Sequence, residues 1–283
     1  MRIGTMSITR HPVFGLLIAA FLVFSTSCAE RVDRMKTPDW ERIRAVPDRA
    51  PEPHMYWPAR PVTPQSELSR DVRERVAPDL ASEFMAASLS LGAPIFIRIF
   101  KQSSELELWV WQNGSYVLFK TYPIARFSGG LGPKRAEGDL QAPEGFYYVF
   151  PSMMNPNSRF HLSFNIGYPN RYDRKHRRTG SAIMVHGSKV STGCFAMTDR
   201  QIEEIYTIAD YALNGGQPFF RVHIFPFRMT DENMRRHAAS PHIGFWENLK
   251  QGYDFFEHAL RPPNVLVSNQ AYVFEPEPEP CDT

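Results

Sequence analysis

The stretch S-A-I-M-V-H-G-S-K-V-S-T-G-C-F-A-M-T-D, Ser181 to Asp199, decides how this chain is read. Its apolar run Ala182 to Val185 reads as a short strand that delivers His186. Cys194, the one cysteine away from the chain ends, follows shortly after. An extended strand would hold the two residues roughly 27 Å apart, and a helix roughly 12 Å apart. Neither brings an imidazole to a thiol. Gly187, Ser188, Ser191, Thr192 and Gly193 are weak helix formers and good turn residues. A tight reversal that sets Cys194 alongside His186 is therefore expected.

Such a pair has a chemical use. A neighbouring imidazolium lowers a thiol's pKa and yields a thiolate nucleophile near neutral pH. Cys194 is the candidate nucleophile and His186 the candidate general base and acid. Gly193, without a Cβ, lets a substrate carbonyl approach, and the amides at Gly193 and Cys194 are candidate oxyanion donors. No acidic residue lies close to His186 before the loop ends, so the Gly187 carbonyl or Ser188 is expected to orient the ring. Taken singly, a lone Cys or His is more often a packed residue than a catalytic one. Their combination with two glycines and a hydroxyl run shifts that balance. Zinc is a poorer reading, because no further Cys or His follows at ligand spacing.

The block H-G-S-K-V-S-T-G-C-F-A-M resembles the His-Gly…Ser-x-Gly-Cys signature of the L,D-transpeptidase (YkuD-type) catalytic domain. The short His-to-Cys spacing and the Ala-Met after the cysteine resemble its YafK-like branch. The likeness continues through R-F-S-G-G-L-G-P-K (126–134), E-G-D-L-Q-A-P-E-G-F-Y (137–147) and L-S-F-N-I-G-Y-P-N-R-Y-D (162–173). It extends to V-H-I-F-P-F-R-M-T (222–230) and F-W-E-N-L-K-Q-G-Y-D-F-F-E (245–257). The resemblance implies a mainly β fold with packed helices (α+β), a sandwich or barrel with a C-terminal helical extension. It implies acyl transfer on peptidoglycan stem peptides through a Cys194 acyl-enzyme, with no metal and no organic cofactor. The acceptor is an amine of another stem peptide or of an outer-membrane protein, for cross-linking, or water, for a hydrolase that releases proteins from the wall. Two other classes stay open. Papain-type peptidases place Cys before His, against the order here, and a non-catalytic wall-binding module would not need the pair intact.

Outside this domain the composition changes. Arg2 and Arg10 precede an apolar run, Val13 to Phe24, too short for the about 20 residues of a bilayer crossing. Residues 1–29 are expected to be a secretory signal, placing the protein in the periplasm, with Cys28 a candidate lipidation site. Contact with a membrane is expected only through that segment or lipid. Residues 30–65 read as a proline-rich linker, 66–93 as a helical lead-in and 94–228 as the catalytic domain. Residues 229–262 read as a helical extension and 263–283 as a partly disordered tail that contains Cys281. A net charge of +2 gives no reason to expect a nucleic-acid partner.

Within the catalytic domain, Asn113-Gly114 between aromatic-rich runs predicts a hairpin. Thr198 with Gln201 predicts a helix start, which Asn214-Gly215-Gly216 ends. The basic run Arg171 to Arg178 is a solvated loop or a substrate-facing flap. Arg171 and Tyr172 in it, with Ser188, Ser191 and Thr192, are candidate substrate contacts.

Overall fold

The computed structural model describes residues 62–276. The segment expected to be a secretory signal, Cys28, nearly all of the expected linker, Cys281 and most of the Glu-Pro tail lie outside the described residues. The first element is α1 (Glu67–Ala86), one helix that runs through Pro78 where the sequence suggested one or two. Strands β1 (Ile95–Phe100), β2 (Glu105–Gln112) and β3 (Ser115–Pro123) follow. Between β2 and β3, Asn113 and Gly114 take the positive φ values of 46° and 89° that a two-residue hairpin requires. Next come β4 (Arg126–Phe127), β5 (Gly145–Val149), β6 (Met154–Ser158) and β7 (His161–Asn165). A short helix α2 (Arg171–Lys175) precedes β8 (Met184–His186) and β9 (Phe195–Ala196). The chain ends with α3 (Asp199–Asn214), β10 (Phe220–Phe225), α4 (Asp231–Arg236), α5 (Ile243–Ala259), β11 (Asn264–Ser268) and β12 (Ala271–Glu275).

The strands form two five-stranded sheets, ordered β3-β2-β1-β10-β5 and β4-β9-β8-β7-β6, and a separate β11-β12 hairpin. One core joins the two sheets. Ile95, Ile97 and Ile99 of β1 meet Phe164, Val185 and Phe195 of the second sheet, with Val72 and Phe84 of α1 and Ile205 of α3. The opposite residues of β1, Phe96 and Phe100, pack under α5 with Phe256 and with Trp246, Leu249 and Tyr253. Strand β1 is thus buried on both faces, and its Ile-Phe pattern is broken only by Arg98, which is buried and paired with Glu107 at 2.8 Å. The α+β architecture and the helical extension agree with the sequence reading. The hairpin at 264–275 was not foreseen within the tail. It docks on α5, where the Asn248 amide donates to the Tyr272 carbonyl and accepts the Tyr272 N–H, at 2.9 and 2.8 Å.

A buried ion pair anchors the long loop between β4 and β5 to this frame. Lys101, just after β1, donates to Glu144 at 3.0 Å, and to the Gly132 and Ala142 carbonyls at 2.9 and 3.0 Å. Glu144 also accepts from the Gly132 amide and from Trp246 Nε1. Both side chains are fully enclosed, and burial draws the Lys101 ammonium below its ordinary value despite Glu144. Removing one partner of such a pair leaves an uncompensated buried charge. Lys101→Met is expected to lower unfolding free energy by about 3 kcal/mol. Urea denaturation checks this; a loss under about 1 kcal/mol would show that the pair is not holding the loop.

Candidate active site

His186 closes β8 in the middle of the second sheet. Its neighbours in register are Ser163 of β7 and Ala196 of β9. Nδ1 lies 2.6 Å from the Gly187 carbonyl oxygen. A carbonyl only accepts, so Nδ1 carries the proton of the neutral ring and Nε2 is left as the base. The Phe160 ring covers the imidazole, with centroids 4.8 Å apart and planes at 32°. Burial draws the His186 pKa below its ordinary value, and the Gly187 bond opposes that shift. Glycine is required at 187, since a Cβ there would lie 2.6 Å from Asp199 Oδ1 and 2.8 Å from the Phe160 carbonyl.

The loop from Gly187 to Cys194 is not the simple reversal expected from sequence. Strands β8 and β9 run parallel, with Val185 opposite Phe195 and His186 opposite Ala196. The chain therefore loops fully round before re-entering the sheet. Parallel partners usually need a longer crossover, but these strands are so short that little length must be regained. Asp199 holds the loop by accepting the Ser188 N–H at 2.7 Å, and the Ser188 carbonyl accepts the Thr198 N–H at 2.9 Å.

Continuing the parallel register by one residue sets Cys194 beside Met184, a strand neighbour of His186 on the same face. The sulfur accepts the Met184 N–H at 3.4 Å, and the thiol donates weakly to the Ala182 carbonyl at 3.7 Å. Among the described residues, no hydrogen bond joins it to His186. The depressed thiol pKa expected from an adjacent imidazolium is corrected accordingly. Burial pushes the Cys194 thiol up, and the Met184 N–H and the Lys134 ammonium only partly counter it. At neutral pH the pair rests as thiol and imidazole, both uncharged.

The remaining candidates separate into distinct groups. The Gly193 amide, a candidate oxyanion donor, donates to Ser128 Oγ. The Ser191 hydroxyl is committed to the Cys194 carbonyl at 2.6 Å, so it shapes the loop rather than meeting a ligand. Ser188 is half-buried and Thr192 is exposed. Tyr172 is corrected from substrate contact to packing residue. It is buried and stacks on Tyr272 at 4.2 Å and 12°, with Phe245 beyond and the Arg178 guanidinium 5.0 Å from its ring centroid. Arg178 itself pairs with Asp173 at 2.8 Å. Arg171 is exposed at the start of α2. The run expected as a solvated loop or a substrate-facing flap thus opens with a short helix, Arg171–Lys175, tied to the C-terminal hairpin. His161 and His176 are tie points, to Glu203 at 2.8 Å and to the Gln270 carbonyl at 2.7 Å.

Three residues near the pair had no role assigned from sequence: Ser128, Lys134 and Asp199. Lys134 is buried and bonded to Asp139 at 2.5 Å and to the Ala136 carbonyl at 2.9 Å. Although burial opposes it, the Ala136, Arg135 and Gln141 amides and Lys134 hold the Asp139 carboxyl down at about 2. The glycine-rich run 126–134 was the available signal for Ser128 and Lys134, but only the tertiary pairing of β4 with β9 brings Ser128 toward the Cys194 loop.

Comparison with known proteins was made against this geometry. The model of the L,D-transpeptidase catalytic domain, YkuD, matches residues 96–224. The YafK proteins of Escherichia coli K12 and O157:H7, named as candidate L,D-transpeptidases, are each 49% identical to this chain. The alignment runs over 183 residues, 65% of this chain and 74% of each relative. Among solved structures, the helical cell shape determining protein Pgp2 of Campylobacter jejuni aligns with 56% of this chain and 56% of its own, at 19% identity and TM-score 0.37. Bd1075 of Bdellovibrio bacteriovorus aligns with 59% of this chain and 61% of its own, at 21% identity and TM-score 0.36.

Proposed function

Because this chain belongs to the L,D-transpeptidase (YkuD-type) family, in its YafK-like branch, we propose that it is an exported acyltransferase whose Cys194 forms an acyl-enzyme with peptidoglycan stem peptides. The observation that carries this reading is the 2.6 Å contact of His186 Nδ1 with the Gly187 carbonyl oxygen, which selects the tautomer. The ring's Nδ1–H is held by the Gly187 carbonyl, so Nε2 is available to take a proton on the face that also holds Cys194.

The mechanism follows from neutral partners. A stem peptide places the carbonyl of its third residue, commonly meso-diaminopimelate in this family, against the sulfur. The thiol leaves its weak contact with the Ala182 carbonyl and gives its proton to Nε2 as the S–C bond forms. Catalytic contacts are often loose without substrate and close on binding. The carbonyl π pair moves to oxygen, where hydrogen-bond donors beside Cys194 stabilise it. Collapse expels the D-amino acid, whose amine takes the proton from His186. An amine or water then attacks the thioester, and His186 again moves the proton.

Purified protein with muropeptides, with and without an added D-amino acid, tests the proposal by mass spectrometry. Exchange or cross-linked products are expected. Hydrolysis alone would assign water as the acceptor, in keeping with the hydrolase alternative. Absence of any change in the stem peptides would sink the reading.

A further inference from the structure

We propose that Ser128 is a catalytic residue, its hydroxyl serving as an oxyanion donor opposite Cys194. The inference rests on the Cys194 acyl-enzyme reading and extends it to a residue outside the His186–Cys194 loop.

Position comes first. Strand β4 pairs antiparallel with β9, Arg126 opposite Ala196 and Phe127 opposite Phe195. One further step along that register sets Ser128 opposite Cys194. Directly opposed residues have their Cβ atoms about 4.5–5.5 Å apart. The Ser128 hydroxyl meets the amide of Gly193, the residue before Cys194, on the edge away from His186's strand.

Hydrogen bonding comes next. Ser128 Oγ accepts the N–H of Gly193. The amide that sequence reasoning assigned to the oxyanion is thus already used. The hydroxyl's own proton has no acceptor among the described residues, and the side chain is half-buried rather than enclosed. A hydroxyl that accepts from an amide becomes a better donor, because the two bonds polarise each other. The Gly193 dipole then reaches the substrate oxygen through Ser128 rather than directly.

Rigidity completes the case, since an oxyanion donor works only if it is held in place before reaction. The Ser128 carbonyl accepts the Ala142 N–H at 3.0 Å. Ala142 is tied by its own carbonyl to the buried Lys101 ammonium. Gln141 bridges the Gly130 and Gly132 carbonyls, each at 2.7 Å, and accepts the Gly130 N–H at 3.1 Å. Glycine at 129 makes room, because a Cβ there would overlap the Gln141 side chain. The glycine-rich motif 126–134 and the turn 141–145 are thereby explained as a cradle that fixes one hydroxyl.

In the step itself the sulfur forms the S–C bond, the π pair moves to oxygen and the thiol proton goes to His186 Nε2. Ser128 donates a hydrogen bond to that oxygen and keeps its proton. When the adduct collapses, the carbonyl reforms and the C–N bond breaks. The amine departs with the proton held on His186.

The test separates acylation from simple alkylation, which passes through no oxyanion. Cys194 in the wild type, Ser128→Ala, Ser128→Gly and Ser128→Thr is acylated with 4-nitrophenyl acetate and with a carbapenem, and alkylated with iodoacetamide. Both hydroxyl-free variants are expected to acylate about 100-fold more slowly, the usual cost of losing one oxyanion donor. Their alkylation should stay within about twofold of wild type, and Ser128→Thr should keep most of the acylation rate. Acylation that is unchanged or faster, as when a placeholder frees the Gly193 amide, would overturn the proposal. So would equal slowing of acylation and alkylation, which marks a residue that only shapes the loop. The aryl ester makes no use of wall specificity, so muropeptides left untouched by the wild type would remove the peptidoglycan reading without deciding the role of Ser128.

Discussion

Cys194→Ala is expected to abolish turnover of muropeptides while leaving the fold in place. The two halves of that statement have different physical sources. For activity, no other residue near His186 offers sulfur chemistry, and Cys194 is the one free cysteine among the described residues. Removing the nucleophile of a concerted catalytic unit typically costs about 10⁴-fold or more in kcat. For stability, the sulfur's contacts are a long bond from the Met184 N–H and a weak bond to the Ala182 carbonyl. Its side chain is only partly enclosed. Losing these should cost about 1 kcal/mol or less. Product analysis by mass spectrometry and a thermal melt check the two halves together. Residual turnover within tenfold of wild type, in a variant that melts normally, would remove Cys194 from the chemistry.

The same contrast between local and distant causes explains what the sequence disclosed. Asn113-Gly114 and the Thr198 cap were legible because each turn or cap is set by residues a few positions apart. The Ile-Phe run at 95–100 was legible as a strand because burial on both faces favours apolar residues, which fill every position but that of Arg98. The hairpin at 264–275 carried a signal that the acidic, proline-rich tail obscured. V-L-V-S-N-Q-A-Y-V-F sets two short β-branched and aromatic runs either side of Asn269 and Gln270, which take positive φ at its turn. Tyr172 looked like a ligand contact within a basic run, and only its stack on Tyr272, far along the chain, makes it structural.

Within the site, the sequence singled out His186 and Cys194 as candidates, and the Gly187 carbonyl named with them does contact the His186 ring. Their electrostatics were not. Proximity in sequence suggested an ion pair, whereas the parallel register of β8 and β9 leaves the sulfur beside Met184, with His186 buried and Cys194 partly enclosed. Burial disfavours whichever form is charged, so the same cause moves the two pKa values apart in opposite directions. Ser128 lay in plain view in a glycine-rich block, but nothing local to that block points to Cys194.

The second large effect concerns His186 and follows from those opposed shifts. His186→Gln is expected to lower kcat/KM by about 10²–10⁴-fold, the usual contribution of a positioned base. It should also remove the acid limb of the pH profile. In the wild type, burial draws the imidazole down, so Nε2 stays unprotonated to below its ordinary pKa of about 6.5. Activity should therefore persist as pH falls through 6.5 and decline only beneath it. Burial pushes the thiol up, so the proton that must finally reach the leaving amine stays in the pair until above about 8.5. The profile of kcat/KM should be a broad plateau between those limits, with its acid side set by His186 and its alkaline side by Cys194. Iodoacetamide gives an independent reading, because it reports thiolate alone. Alkylation of the resting enzyme should be slow at pH 7 and rise through the alkaline range. Rates already at their maximum below pH 7 would mean a preformed thiolate–imidazolium pair, and the neutral resting state of Cys194 and His186 would fall.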